Sequence, residues 1–365
     1  MEDEIKKDPY QYIKNYYESV YPFIGGKVFS ILALLPISLI LPKIQRRGKL
    51  IRSHLSLILL SPPGSGKTSL CSEFEKITLN PLSTESITPA RFVYEVNKKS
   101  MSNNNPQISL IVSDIATIFM NEVLIKILEN TLEEGYISRN TMRNKKEETK
   151  KNVEAISFLS GTPENINDNR LKRGILFRAL NLVVFHSEEE HEKIIDFVSS
   201  SIGKEDEINN SEIIDFYQDL YKIMEGNHET FNPVEGFIFP EEIQNQVSPF
   251  IKAEVKDIFK KHGITFARSV EDFFRIMCSH AFLNIYNRKL QDNKIIITEE
   301  DMKVAKNLIK RDLDTKNIIL ECIDTIDYYG LKTINQLREW EDRRRLKYKK
   351  DLGKKTKFIM EGLIR

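Results

Sequence analysis

The chain has 365 residues, 41% of them apolar, enough for a sizeable core and for two domains of unequal size. Its 54 Lys and Arg against 53 Asp and Glu leave a net charge of +1, so bulk charge gives no case for nucleic-acid binding, and any such contact must come from local patches. Cys71, Cys278 and Cys322 stand far apart without metal-ligand spacing, which speaks against a disulfide scaffold and for reduced thiols in a reducing, cytoplasmic compartment.

The N-terminus, MEDEIKKDPY, lacks the pattern of a signal peptide. Residues 28–41 (VFSILALLPISLIL) are the one membrane suspect, but the run is too short to span a bilayer and contains Pro36, so it predicts a buried helix with a break and no membrane contact. Residues 54–60 (HLSLILL) read as an apolar strand, followed by Ser61-Pro62-Pro63-Gly64-Ser65-Gly66-Lys67-Thr68 and a helix-like stretch from Ser69. Strand, glycine-rich turn, Lys-Thr and helix are the context of a phosphate-binding P-loop. The glycines let backbone N–H groups close around an anion at a helix N-terminus, where the helix dipole adds attraction. The predicted nucleotide contacts are therefore Pro63, Gly64, Ser65, Gly66, Lys67, Thr68 and Ser69. Lys67 is placed to reach the β/γ-phosphates, and the Thr68 hydroxyl to ligate Mg²⁺. Ser61 departs from the pattern by replacing its first glycine, and Cys71 reads as a small buried helix residue.

Residues 102–106 (SNNNP) form a polar loop, after which 108–114 (ISLIVSD) read as a second apolar strand ending in Asp114. An acid there can hold Mg²⁺ beside the P-loop, directly or through water, as a Walker B strand does. Residues 136–154 crowd Arg139, Arg143, Lys145, Lys146, Lys150 and Lys151 ahead of a third strand, with Glu147 and Glu148 diluting the charge as in an ordinary solvated loop. That strand, 155–160, ends at Gly161-Thr162-Pro163, placing a polar side chain at the carboxyl edge where open α/β sheets bind ligands. A fourth strand, 180–185, follows Arg178, and from 187 the pattern turns helical and charged with no further strong strand. His186, His191, His262 and His280 lack ligand or triad spacing, and His280 reads as a packed residue. The rhythm predicts an α/β fold, a parallel sheet covered by helices over 1–200, then a helical domain over 201–314 and a basic helical tail over 315–365.

Several segments, in order, resemble the ATPase domain of minichromosome maintenance (MCM) replicative helicases, of the AAA+ class. Residues 16–26 (YYESVYPFIGG) look like that family's "SIAP-IYGH" opening, and 48–52 (GKLIR) like the lead-in to its P-loop strand. Residues 128–138 (LENTLEEGYIS) resemble the helix and turn that open its pre-sensor hairpin; 176–180 (LFRAL) match "LSRFDL", 264–271 (ITFARSVE) "TARTLE", and 297–301 (ITEED) "VTEEDV". The likeness spans roughly 15–310 and implies an AAA+ P-loop NTPase with an α-helical lid, using ATP and Mg²⁺. It implies ATP held between subunits of a ring, expected to be a hexamer, by Lys67, Thr68, Asp114 and the sensor 1 residue Thr162. Arg178, as an arginine finger, and Arg268, as the sensor 2 arginine, are implied to act from the adjoining subunit. The segment around Arg139, Arg143, Lys145 and Lys146 is implied to point into the ring's channel, where six copies suit sequence-independent gripping of single-stranded DNA phosphates.

The plainer alternative for each arginine is a surface ion pair, but Arg178 just precedes a buried strand, and Arg268 opens a helix, where a cation opposes the dipole and calls for an anionic partner. The family's N-terminal OB-fold region has no counterpart in these residues, and its Walker B Asp-Glu is here Asp114-Ile115. Either Asp114 does both jobs, or an acid such as Glu95 or Glu122 substitutes, or hydrolysis is slow and nucleotide acts as an assembly switch. Thr162 replaces the usual sensor 1 Asn and can still donate to a phosphate, and the stretch from Thr162 to Arg178 is shorter than in the family. Beyond 315 the likeness fades into a basic tail with Arg343-Arg344-Arg345, either a partial winged helix that binds DNA or a soluble extension. The leading expectation is an ATP-driven DNA translocase or helicase in replication, of a mobile element or virus. The alternatives are an ATP-gated ring or loader with little turnover and a nucleoprotein packaging or remodelling motor.

Overall fold

The computed structural model describes residues 2–328 except 22–25, 47–48, 62, 85–87, 103–106, 120, 139–151, 163–173, 185–191, 193, 197–198, 200–209 and 265. Two helices, α1 (Glu2–Ile5) and α2 (Pro9–Val20), lead the chain; the Asp8 carboxylate accepts from the Gln11 N–H at 3.0 Å and Pro9 occupies the first turn of α2. The apolar run at 28–41 falls in α3 (Gly26–Leu32) and α4 (Leu35–Ile40), and residues 28–41 are all buried. Its break falls at Ala33 and Leu34, before Pro36, because the proline sits in the first turn of α4, where its missing N–H costs nothing. No helix among the described residues is long and apolar enough to cross a membrane. An antiparallel pair, β1 (Ile44–Arg46) and β2 (Lys49–Ile51), leads into β3 (Ser56–Leu60).

After β3 come α5 (Lys67–Ile77), β4 (Pro81–Thr84), α6 (Pro89–Ser102), β5 (Gln107–Val112), α7 (Ile115–Phe119), α8 (Glu122–Glu134), β6 (Tyr136–Ser138), β7 (Asn152–Gly161) and β8 (Leu180–Val183). Five strands form a parallel sheet in the order β4-β5-β7-β3-β8, and β6 pairs antiparallel with β7. Both faces are covered, which is why the strands read as continuous apolar runs. Leu57 and Leu59 of β3, with Ile156 and Phe158 of β7, enter one core; Ile58 and Leu60, with Ala155 and Leu159, enter the other. Chain order and spatial order differ at β7, which inserts between β3 and β5 and so brings a third carboxyl end between theirs.

The remainder is mainly helical: α9 (Ser211–Glu225), α10 (Glu241–His262), α11 (Ala267–Leu283) and α12 (Glu299–Tyr328). Strands also occur here, but only short ones of two or three residues. β9 (Gly236–Ile238), β10 (Leu290–Gln291) and β11 (Lys294–Ile296) make a three-stranded sheet, the last two joined through Asp292 and Asn293 at φ +50° and +57°. Positive φ at two successive residues is the geometry of a tight hairpin turn, which Asp and Asn tolerate. His280 is packed, as expected, with Nδ1 2.6 Å from the fully buried Asp301, which also accepts from Arg288 at 2.7 Å. Side chains tie α9 to the sheet layer. Tyr221 donates to the Ile77 carbonyl at 2.6 Å, Tyr217 to that of Ala33 at 2.7 Å, and Asn210 to Glu73 of α5 at 2.6 Å.

Candidate nucleotide-binding site

Gly64 and Gly66 take φ +78° and +82°, left-handed values that glycine adopts at no steric cost. Gly66 is the residue before α5, so the loop turns its backbone over the N-terminus of an 11-residue helix. The departure at Ser61 is absorbed locally: the buried hydroxyls of Ser61 and Ser65 share a 2.6 Å hydrogen bond across the loop. Lys67 Nζ donates to the Ser61 carbonyl at 2.7 Å, folding its cation back over the loop it belongs to. Thr68 and Ser69 open α5 with exposed side chains.

A cleft of about 340 Å³ stands over this loop. Pro63 through Thr68 line it with Ser113 and Asp114 beyond β5 and Gly161 and Thr162 at the end of β7. Three carboxyl strand ends thus bring the P-loop, Asp114 and Thr162 together. Asp114 is exposed, its Oδ1 accepts from the Ala116 N–H at 3.0 Å, and its carbonyl accepts from the Thr117 hydroxyl at 2.8 Å, so it also starts α7. Behind it, Ser160 donates to the Ser113 carbonyl at 2.5 Å, joining β7 to the turn after β5. Asp114 is the one carboxylate among the described lining residues. Glu95 lies in α6 beside Arg91, and Glu122 is exposed in the first turn of α8; neither lines the cleft. Two left-handed glycines, a lysine, a helix N-terminus, and threonines that line one cleft with a carboxylate fit a nucleoside polyphosphate with its divalent cation.

The two arginines stand elsewhere. Arg178 ends a short 3-10 turn (Leu176–Arg178) before the amino end of β8, on the opposite edge of the sheet from the P-loop. Its guanidinium meets Glu133 at 2.6 Å and Glu129 at 3.9 Å, both on α8. Gly174, at φ +135°, lets the chain pass close under that guanidinium, since a Cβ there would lie 2.6 Å from Nη1. Arg268 is the second residue of α11 and donates to the Leu132 carbonyl in the last turn of α8. Its partner within the chain is thus a helix C-terminus, whose partial negative charge suits a cation. Its Nε is buried without a hydrogen-bond partner among the described residues.

Sequence reasoning missed the company these arginines keep. Arg52 also donates to the Leu132 carbonyl, and its Nη1 reaches that of Thr131 at 3.4 Å. Burial, with the charges of Arg268 and Arg275 added, lowers the Arg52 pKa to about 9. Burial lowers that of Arg268 as well. Arg275 is balanced by Asp272 at 2.6 Å and Glu271 at 3.2 Å. His54 is buried beside them, Nδ1 3.2 Å from the Gly135 carbonyl and Nε2 3.8 Å from Glu154; burial holds its pKa below the ordinary value despite that carboxylate. A spacing-based signal exists only for Arg52, which directly follows β2, just ahead of the P-loop strand.

Arg139, Arg143, Lys145 and Lys146 lie outside the described residues, as does the tail from 329; only the roots of the β6–β7 pair are seen, Tyr136 opposite Glu154 and Ser138 opposite Asn152. A larger cavity of about 700 Å³ lies far from the P-loop residues in sequence, among Lys6, Glu212, Asp219, His228 and their neighbours. Its described lining holds no glycine, and two of its acids are engaged: Tyr286 donates to Asp219, and Tyr12 to Glu212 at 2.7 Å. Neither protein-family models nor curated proteins give a match to this chain.

Proposed function

We propose that the chain is an ATPase subunit of the MCM-like AAA+ kind, which works as a ring with its nucleotide sites shared between neighbouring subunits and moves on DNA. The single observation that carries this reading is the division of the charged groups between the two edges of one sheet. The P-loop, Asp114 and Thr162 gather at the carboxyl edge, while Arg178 and Arg268 contact α8 and are not among the residues lining the cleft. An arginine placed so serves a nucleotide only if that nucleotide belongs to a neighbour. In this reading residues 1–200 are the nucleotide-binding core, the helices over 201–314 the lid, and DNA runs past the β6–β7 hairpin.

The chain's own groups then have these tasks. Lys67 leaves the Ser61 carbonyl to meet the β/γ-phosphates, and the N–H groups of the loop surround them. Thr68 and Asp114 would hold Mg²⁺, which supplies charge neutralisation across the phosphates when bound. Thr162, between P-loop and Asp114, donates to the terminal phosphate or orients water. Arg178 and Arg268 supply positive charge from the adjoining subunit, where little else than positioning and electrostatics is needed. The test is ATP turnover with and without single-stranded DNA: DNA-stimulated turnover that Lys67→Ala abolishes supports the motor, and stimulated turnover that survives Lys67→Ala contradicts it.

One observation favours the second reading, a nucleotide-gated ring or loader. Ile115, where the family carries its water-polarising glutamate, is fully buried in the core, and Asp114 is left as the one carboxylate among the described lining residues. Tight ATP binding with negligible turnover would decide for it.

A further inference from the structure

Asn181, the second residue of β8, is 1% exposed and works in two directions. Its Nδ2 donates to the carbonyls of Leu176 and Ala179 at 2.7 and 2.8 Å, closing the turn that carries Arg178. Its backbone N–H donates at 2.7 Å to Oδ1 of Asp312, in the middle of α12, and Nδ2 lies 3.3 Å from the same oxygen. The other Asp312 oxygen holds Lys316 Nζ at 2.7 Å, with the two residues 0% and 2% exposed. Burying a carboxylate and an ammonium together is costly, and an apolar pair of similar volume would serve stability as well or better. Asn181 Oδ1 adds to the cost, being buried without a hydrogen-bond partner among the described residues. On the turn's other side, Phe177 packs edge-on against Phe266, ring centroids 5.9 Å apart, directly ahead of α11. The turn is therefore gripped from both α11 and α12.

We propose that Asn181, Asp312 and Lys316 are positioning residues for Arg178: the long helix α12 fixes the turn that presents this arginine, so that a shift of α12 reaches the neighbour's nucleotide. The inference rests on the reading of Arg178 as an arginine finger given above. It explains why three polar groups are kept in a core contact, and it makes the helical part of one subunit a determinant of turnover in the next.

Asn181→Leu is the discriminating variant. It keeps the number and branching of side-chain heavy atoms, leaves the backbone N–H on Asp312 and removes the orphaned Oδ1, while the Leu176 and Ala179 carbonyls lose their donor and Asp312 its weaker 3.3 Å contact. A second variant, Asp312→Asn with Lys316→Gln, neutralises the pair without opening a cavity. The first readout does not depend on nucleotide chemistry: native-state trypsin cleavage of the Arg178–Ala179 bond in the full chain, followed by fragment mass. It should accelerate at least five-fold in Asn181→Leu, with other sites unchanged. The second is ATP hydrolysis, where kcat should fall at least ten-fold with KM for ATP within two-fold. Mixing with Lys67→Ala subunits, which keep an intact Arg178, should restore part of that rate, as it should for Arg178→Ala. Unchanged cleavage, or wild-type kcat in Asn181→Leu beside an inactive Arg178→Ala, overturns the inference alone. Wild-type kcat in Arg178→Ala overturns the finger reading and the inference with it.

Discussion

Lys67 illustrates how a single cation is kept ready at low cost. Its Nζ donates to the Ser61 carbonyl at 2.7 Å, a neutral acceptor that, under the proposed function, a phosphate would replace with a charged one. Hydrogen bonds to charged groups contribute about 1.5–3 kcal/mol. Lys67→Ala is therefore expected to weaken ATP binding about ten- to a hundred-fold, read by calorimetric titration, while leaving the unfolding midpoint nearly unchanged. Ser61 shows the converse case, a motif position whose replacement is harmless because its hydroxyl finds Ser65. From the sequence, the loop was legible because its pattern is local: glycines, lysine and threonine fall within one turn, and Pro63 to Thr68 line the cleft, whereas Ser69 does not. The partners of Arg52, Arg178 and Arg268 were not, since each depends on where α8 ends in space, and no spacing along the chain encodes that.

At the scale of elements, the end of α8 is the joint on which most depends. Gly135 ends that helix at φ +71°, and a Cβ there would run into the side chains of Arg52 and His54. A left-handed non-glycine residue costs about 1–2 kcal/mol before any clash. Gly135→Ala should thus destabilise the chain by about 2 kcal/mol or more in urea unfolding. His54 makes the same joint acid-sensitive. Its folded pKa lies below the ordinary value of about 6.5, so below that pH the unfolded chain takes up a proton that the folded chain refuses. Its contribution to stability is complete above about pH 6.5 and drains as the pH falls. Between pH 7 and 5, His54→Gln should lose about 1–2 kcal/mol less stability than the parent chain, measured by unfolding at each pH. The strands β3, β5, β7 and β8 could be read from the sequence because burial on both faces makes them continuous apolar runs. By contrast β4, β9, β10 and β11 are two to four residues long and carry too little pattern to separate from loop. Pro36 misplaced the break in 28–41 for a related reason: a proline marks a helix start as readily as a helix end.

On the scale of the whole molecule, one sheet separates two kinds of charge, with the phosphate cradle at its carboxyl edge and Arg178 before the amino end of β8. Under the proposed function, turnover belongs to an assembly, and a lone subunit would bind nucleotide without completing the site. Arginine fingers in phosphoryl transfer are worth about 10³–10⁵ in kcat. The most direct measurement is therefore ATP binding and ATP turnover side by side in Arg178→Ala, at a protein concentration where the parent chain assembles. The account predicts binding within about two-fold of the parent and turnover lower by about 10³ or more. Parental turnover in that variant, or loss of ATP binding along with it, would contradict a site shared between subunits.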